Sequence, residues 1–460
     1  MSRDRQAVVW TRLAARPVKM GDLYITDRDC RFSYDLDYLH TGLPGLGLIY
    51  APEIVQENTI VRPRSEFFEF LPPIQALIPP KGDKNFQRQL ILNYLNKKGL
   101  QASGANVDWE ILKVAGHGGI GHLDVFENDE RALEWYGTPA KNELFEVTDE
   151  LGFSLKEFLT WFDHDAEGLI NIIGPTPSVG GAIPKLLLSI ADTGWDNRIG
   201  LPTRIGSRGI TDVVVKFEQS VAYPGINDLE ALTLDVHREA GFDVPRYWQA
   251  EINGIPVMAI ERFDRDKHHL PVFTESLYSV LASGDGAITH NYSYSYDAIG
   301  HAIDVSPIDL VSDRQAGKLY LFRRLILALL TGNGDLHMEN LSLLQREGIS
   351  QFTPVYDPTP MRAYSIHNML TVMPFGDYGE LVTGHEKPVG LLEALKRFAA
   401  NMKISRAQMS EIICEQLVLT ESYADRLTVL ERLPRQNRDN LIAIVRKLRE
   451  QLLSVCNANE

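Results

Sequence analysis

The sequence predicts an α+β protein with a β-rich front, a mixed middle and a helical back, on three observations. Short apolar or alternating runs punctuated by Gly and Pro fill residues 1–130. In the middle, a helical stretch lies between two strand-like runs. Beyond about residue 270, apolar residues recur three or four positions apart, the period of a helix with one buried face.

In the front, Ala7 to Leu13, Leu46 to Tyr50 and Trp109 to Ala115 belong to a region of short strands with a few helices. The pattern turns helical from Asn142 to Phe162, until Gly174-Pro175-Thr176-Pro177 breaks it. A Gly-containing loop follows, and the run Leu186 to Ala191 reads as a strand. Val213-Val214-Val215-Lys216-Phe217 and Pro256 to Ile260 read as strands around a helix at Asp228 to Ala240. Lys318 to Leu330, Gly390 to Met402, Arg406 to Leu417 and Asn440 to Val455 read as helices. These textures divide the chain into a β-rich subdomain over 1–130, a mixed lobe over 131–265 and a helical lobe over 266–460, with the site expected at the middle/back junction.

The 460 residues carry 46 Lys+Arg against 61 Asp+Glu, a net charge of −15. That balance argues against a broad DNA-binding or acidic-membrane surface, which needs concentrated positive charge. Cys30, Cys414 and Cys456 are far apart and have no CxxC or Cys/His ligand spacing, so a framework independent of disulfides is expected. The charged start Met-Ser-Arg-Asp-Arg leads into no long apolar run, so no signal peptide or membrane span is expected and the cytoplasm is the default compartment.

The chemistry concentrates where the apolar helix ending at Leu330 runs into Thr331-Gly332-Asn333-Gly334-Asp335-Leu336-His337-Met338-Glu339-Asn340. Asp335 and Asn340 have the Asp-x4-Asn spacing of a protein-kinase catalytic loop, in which the acid orients or deprotonates a hydroxyl and the amide oxygen holds magnesium. Asp357, closing Pro354-Val355-Tyr356-Asp357, is placed to be a second magnesium ligand. Upstream, Lys216 ends an apolar strand like the phosphate-pairing lysine of a kinase, and Glu230 in the next helix is its candidate partner. In Ser178-Val179-Gly180-Gly181-Ala182-Ile183-Pro184-Lys185, adjacent glycines would let backbone N–H groups approach phosphates and Lys185 would add charge.

Each part also has a plainer reading: a helix cap for Asp335 and Asn340, a hairpin turn at Gly180-Gly181, a strand-edge lysine at 216, a turn at Asp357-Pro358. The order of the parts along the chain favours the kinase reading. Gly116-His117-Gly118-Gly119-Ile120-Gly121 satisfies GxGxxG, but it leads into the strand-like His122 to Phe126 rather than a helix, so a turn is expected. No HExxH or GxSxG occurs. Arg432, Arg435, Arg438, Arg446 and Arg449 read as a solvated face.

Together, Gly332 to Asn340, Glu261-Arg262-Phe263-Asp264-Arg265 and Pro354 to Asp357 resemble the HipA family of serine/threonine kinase toxins. Weaker matches are Ser178 to Lys185, Val215 to Phe217, Asn227 to Glu230, Ala240 to Pro245, and Gly21-Asp22-Leu23, Phe32-Ser33-Tyr34 and Phe67 to Pro73 near the start. The resemblance implies a two-lobed, protein-kinase-like fold with ATP between the lobes. Asp335 would be the catalytic acid, Asn340 and Asp357 would hold Mg2+, and Lys216 would contact phosphates. Glu261, Arg262 and Phe263 would meet adenine as a hinge, with His337 beside the triphosphate and Tyr356 also in the ATP site. Gly180, Gly181, Ala182, Ile183, Pro184 and Lys185 would form the phosphate loop, and Ser178 would be autophosphorylated. The implied partners are a helix-turn-helix antitoxin of the HipB type, operator DNA through it, and a protein substrate such as an aminoacyl-tRNA synthetase. Glu339 stands where the family usually has lysine, and Pro358-Thr359-Pro360 replaces a more apolar stretch. The rivals are a small-molecule phosphotransferase on the same scaffold and a catalytically silent regulatory scaffold.

Overall fold

The computed structural model describes every residue except 1–4, 15, 83–84, 101–102, 105, 139–142, 148–176, 178, 180–182, 203–206, 382–386 and 458–460. Two compact units emerge. The first comprises Met1–Gln219, Arg246–Glu275 and Ser279–Thr289, and the second Ser220–Pro245, Ser276–Tyr278 and His290–Glu460.

Among the described residues the first unit contains two larger antiparallel sheets and a two-stranded antiparallel pair, Phe145–Glu146 with Arg198–Ile199. β1 (Arg5–Thr11), β2 (Val18–Ile25), β3 (Asp29–Tyr34), β4 (Thr59–Pro63) and β5 (Leu123–Phe126) form a five-stranded sheet in the order β4-β3-β2-β1-β5. Alternation along β3 buries Cys30, Phe32 and Tyr34 in a core shared with Ile91 and Trp109. α1 (Phe86–Lys97) begins where the Asn85 side chain accepts a 2.9 Å bond from the Arg88 N–H. α2 (Val107–Ala115) covers the stretch Trp109 to Ala115, expected in a strand-rich region. Its buried positions, Asp108, Trp109, Ile111, Leu112 and Ala115, follow the helical period, and the Arg88–Asp108 ion pair ties it to α1. Leu46 to Tyr50 forms turns rather than a strand.

After α2 the chain turns through Gly116 to Gly121 into β5, so the GxGxxG sequence is a helix-to-strand turn, opposite to the strand-to-helix order of a dinucleotide site. Asp264 accepts from the Gly121 N–H at 2.8 Å, and Arg262 and Arg265 both donate to the Gly119 carbonyl. The second sheet consists of β6 (Lys185–Ala191), β7 (Ile210–Phe217), β8 (Tyr247–Ile252) and β9 (Ile255–Glu261) in the order β8-β9-β7-β6. Every residue of β6 is buried, and Phe86 and Leu90 of α1 join Leu188, Val213, Val215 and Val257 in one core. The helix predicted from Asn142 falls mostly outside the described residues; Phe145–Glu146, within them, form a short strand.

The second unit is helical. Its elements are α3 (Ile226–Glu239), α4 (Tyr296–Val305), α5 (Arg314–Thr331), α6 (Leu391–Asn401), α7 (Arg406–Leu419) and α8 (Arg435–Asn457), with the hairpin β10 (Ser342–Arg346) and β11 (Ile349–Phe352). α5 is its axis. Asp313 caps its start, residues Leu325 to Thr331 are all buried, and Gly332 ends it in the left-handed conformation at φ +75°. Ser405 and Gln408 form a reciprocal capping box at the start of α7.

α7 and α8 run antiparallel, with Arg449 donating to the Leu417 carbonyl and Ser410 to that of Val455. That pairing brings Cys414 and Cys456, 42 residues apart, into a disulfide with Cα atoms 5.8 Å apart. The expectation of a chain without disulfides is corrected here: spacing along a sequence reveals local thiol motifs, whereas this pair meets through helix packing. Cys30 is buried and free. Among the described residues no helix is long and apolar enough to cross a membrane.

Candidate active site

The loop after α5 is held from within. Gly332 and Gly334 both take positive φ, and between them Asn333 is buried, its side-chain oxygen accepting from the Asp335 N–H at 2.8 Å. Asn340 reaches back, its Nδ2 donating to the Asp335 carbonyl at 2.9 Å. The two ends of the Asp-x4-Asn motif are thus joined. His337 caps the short helical turn Met338–Asn340, its Nδ1 accepting from the Glu339 N–H at 3.2 Å, which places its proton on Nε2. Glu339 accepts from Asn291 Nδ2 at 2.8 Å, so the residue that departs from the family pattern is used within the fold.

Asp357 lies in the same unit. It has φ +48°, a strained value for a residue with a side chain and one found preferentially at functional positions. Before it, the Tyr356 hydroxyl donates to the Glu339 carbonyl and lies 2.6 Å from Ser342 Oγ. Burial pushes that phenol well above its ordinary pKa, partly opposed by Ser342. Tyr356 therefore clamps the loop that follows α5 through its hydroxyl. After Asp357, Thr359 donates to Glu230 Oε2 at 3.3 Å, and the Met361 N–H bonds to the Asn333 carbonyl at 3.0 Å. The Pro358-Thr359-Pro360 departure thus anchors the acid-bearing segment to α3 and to the loop that follows α5.

Beneath the loop, the buried guanidinium of Arg324 is bonded to His237 Nε2. Burial, reinforced by Arg324, holds His237 neutral, and the His237 Nδ1–H donates to the Thr233 carbonyl at 2.7 Å. Tyr223 stands nearer the acid. Burial raises its phenol pKa and the charge of Asp335 adds to the effect.

The nucleotide-side candidates belong to the first unit. Lys216 on β7 and Lys185 at the start of β6 are register partners, so both side chains leave the same face, and each is only 4% exposed. Ile183 and Pro184 lead into β6, and the Pro184 carbonyl accepts from the Phe217 N–H at 2.9 Å. Glu261, at the end of β9, forms a two-pronged ion pair with Arg246. Arg262 is buried and bonded to Asp264 at 2.8 and 3.0 Å, so its side chain is structural, and its N–H donates to the Asp212 carbonyl at 3.0 Å, which leaves only its carbonyl for a hinge role. Phe263 follows it. Ser178, Gly180, Gly181 and Ala182 lie outside the described residues.

Asn340 and Asp357 offer hard oxygen donors, and among the described residues no group of three or more His, Cys, Asp or Glu side chains could cage a metal. That donor set fits magnesium, which is commonly held by one or two protein oxygens together with phosphate oxygens and water. Sequence reasoning missed Arg324 and Arg362, since neither is part of a local motif and a helical arginine reads as surface.

A family model, the HipA-like C-terminal domain, matches residues 177–423. A Haemophilus influenzae protein provisionally named a kinase is 25% identical over 330 residues, spanning 68% of this chain and 89% of its own length. Among solved structures, HipA of Shewanella oneidensis, determined in complex with HipB and operator DNA, superposes with a TM-score of 0.62 at 16% identity, over 96% of this chain and 95% of that one. The kinase CtkA of Helicobacter pylori covers 61% of this chain and 93% of its own, with a TM-score of 0.37 and 13% identity. Matching more than half of its length, the family model settles the assignment: the chain belongs to the HipA-like C-terminal domain family and has the kinase-like fold of HipA.

Proposed function

We propose that this protein is an ATP- and magnesium-dependent serine/threonine protein kinase acting as the toxin of a HipBA-like pair. The observation that carries the reading is the loop in which Asn340 is bonded to the Asp335 backbone while Tyr356, next to Asp357, clamps Glu339. Phosphoryl transfer asks a protein mainly for positioning and charge stabilisation, and this loop supplies positioning. Asp335 accepts the proton of the acceptor hydroxyl as its oxygen bonds to the γ-phosphorus, and the bond to the β-phosphate oxygen breaks to release ADP. Asn340 and Asp357 would hold Mg2+, which neutralises charge on the phosphates. Lys216 and Lys185, register partners on one face of their sheet, would contact the same groups.

Ser178 is the proposed autophosphorylation site, Gly180 to Lys185 the proposed phosphate loop, Glu261 to Phe263 the proposed hinge and Glu230 the proposed partner of Lys216. The proposed partners are a HipB-type antitoxin, operator DNA through it, and a protein substrate of the aminoacyl-tRNA synthetase kind. They rest on the resemblance and on the HipB and operator DNA bound by the Shewanella HipA. The test is intact-mass and peptide mass spectrometry after incubating wild type and Asp335→Asn with Mg-ATP. Phosphate on Ser178 in wild type alone supports the reading. Transfer in both proteins equally would remove Asp335 from the chemistry, and no transfer in either would overturn the kinase assignment.

A further inference from the structure

We infer that Arg362 is an anion-recognition residue on the acceptor side of the catalytic loop, reading an acidic residue beside the hydroxyl that is phosphorylated; the inference rests on the kinase reading. Its backbone is fixed on two sides. The Arg362 N–H donates to the Gly332 carbonyl at 3.1 Å, and the Arg362 and Ala363 carbonyls each accept at 3.1 Å from Asn440 and Asn437 of α8. Its stem lies along Gly334, the residue before Asp335. A Cβ at Gly334 would sit 2.7 Å from Arg362 Cγ and 3.2 Å from Cδ. The Arg362 backbone and the first part of its side chain are therefore held against Gly332 and Gly334, just ahead of Asp335 in the loop.

What it lacks is a counter-charge. Nε and Nη1 of Arg362 are buried without a hydrogen-bond partner, and none of the ion pairs among the described residues involves it. A guanidinium stays charged at all ordinary pH values, so this desolvation is uncompensated until an acceptor arrives. Its flat fork matches a carboxylate or phosphate. Asn340 is bonded to the Asp335 carbonyl and Tyr356, the neighbour of Asp357, to the Glu339 carbonyl, whereas Arg362 is tied to Gly332 and Gly334, which precede the acid. The nucleotide's charge is assigned to the former side, leaving Arg362 for the acceptor. Met369 extends that surface: its carbonyl lies 3.0 Å from the same Gly334 Cβ position, and its side chain and that of Ile366 are 61% and 73% exposed. A polypeptide acceptor with an acidic residue near its serine would meet both an apolar shelf and a cation.

The experiment is fluorescence anisotropy with the full chain and three labelled peptides, each with a central serine flanked by glutamate, glutamine or phosphoserine. Wild type should bind the glutamate peptide about tenfold more tightly than the glutamine peptide, a loss typical of one charge-assisted contact. Arg362→Gln should erase the preference, Arg362→Lys should restore part of it, and unchanged thermal melting would show that the variants fold. Equal binding of the glutamate and glutamine peptides by wild type, or a preference that survives Arg362→Gln, overturns the inference. A gain confined to the phosphoserine peptide overturns the carboxylate assignment. Discrimination without phosphoryl transfer to the glutamate peptide in Mg-ATP upholds the anion site and counts against the kinase reading instead.

Discussion

Glu275 makes the stability of the first unit depend on pH. Its carboxylate is buried in the first unit, where Oε2 accepts from the Leu48 N–H at 2.8 Å and Oε1 from Ser279 at 2.6 Å. Gly47 packs so closely that a Cβ there would lie 2.8 Å from Oε1. Burial pushes the carboxyl from 4.5 up to about 7, opposed by these two hydrogen bonds. An acid whose folded pKa exceeds its unfolded one binds its proton more tightly when folded. Stability is therefore highest below the unfolded value and declines as pH rises from 4.5 through about 7. The span of roughly two and a half units corresponds to about 3 kcal/mol. Glu275→Gln keeps the volume, has one oxygen for Leu48 and can donate to Ser279, and it carries no charge at any pH. Urea midpoints measured at about pH 5 and about pH 8 should fall in wild type but change less in the variant, which gains up to about 3 kcal/mol over wild type at the higher value. Parallel pH profiles for the two proteins would refute the reasoning.

Asp264 should behave with the opposite sign. Burial opposes its charge, but Arg262 and Arg265 outweigh burial and hold the carboxyl at about 2, so its contribution is present above 3.8 and is lost as pH falls through about 2. Asp264→Asn should destabilise the first unit by about 3 kcal/mol in chemical denaturation, since it leaves two buried guanidinium groups without their shared counter-charge. Tyr356→Phe removes the hydroxyl that holds Glu339 and Ser342, and should cost about 1–2 kcal/mol in thermal melting together with a fall in phosphoryl-transfer rate. Cys414→Ala should lower the unfolding free energy of the oxidised protein, read by chemical denaturation, by up to about 4 kcal/mol, from closure of a 42-residue loop, and should have little effect in reducing buffer. Thiol titration of the denatured oxidised wild type should count Cys30 alone.

What the sequence made legible was periodic or local. The Val213 to Phe217 run became β7, and the helices read over Asp228 to Ala240, Lys318 to Leu330, Gly390 to Met402, Arg406 to Leu417 and Asn440 to Val455 formed with ends shifted by a few residues. Trp109 to Ala115 misled because a seven-residue apolar stretch fits either period, and only packing against the rest of the core decides. The Asp335 and Asn340 pair was visible because its spacing is fixed by one loop. Arg324, Arg362 and the Cys414–Cys456 bond were not visible, because each depends on residues brought together by helix packing across long separations.

The close packing around Asp335 explains why the loop needs two glycines rather than one. A Cβ at Gly332 would sit 2.5 Å from Leu441 of α8, and one at Gly334 would meet Arg362 and the Met369 carbonyl, while both positions take positive φ. Neither site has room for a side chain, so the loop is drawn down on one flank against α8 and on the other against the 361–369 segment. A loop gripped in this way has few conformations to lose when substrate binds, and rate gained by holding reactants in place depends on that economy. The same grip carries Arg362 with the acid. Because the Arg362 backbone is bonded to Gly332 and its stem lies on Gly334, a shift of the loop moves the guanidinium and the carboxylate together. Under the proposed reading, recognition of the acceptor's charge and positioning of its hydroxyl become one structural event, which two independently mobile side chains would not achieve.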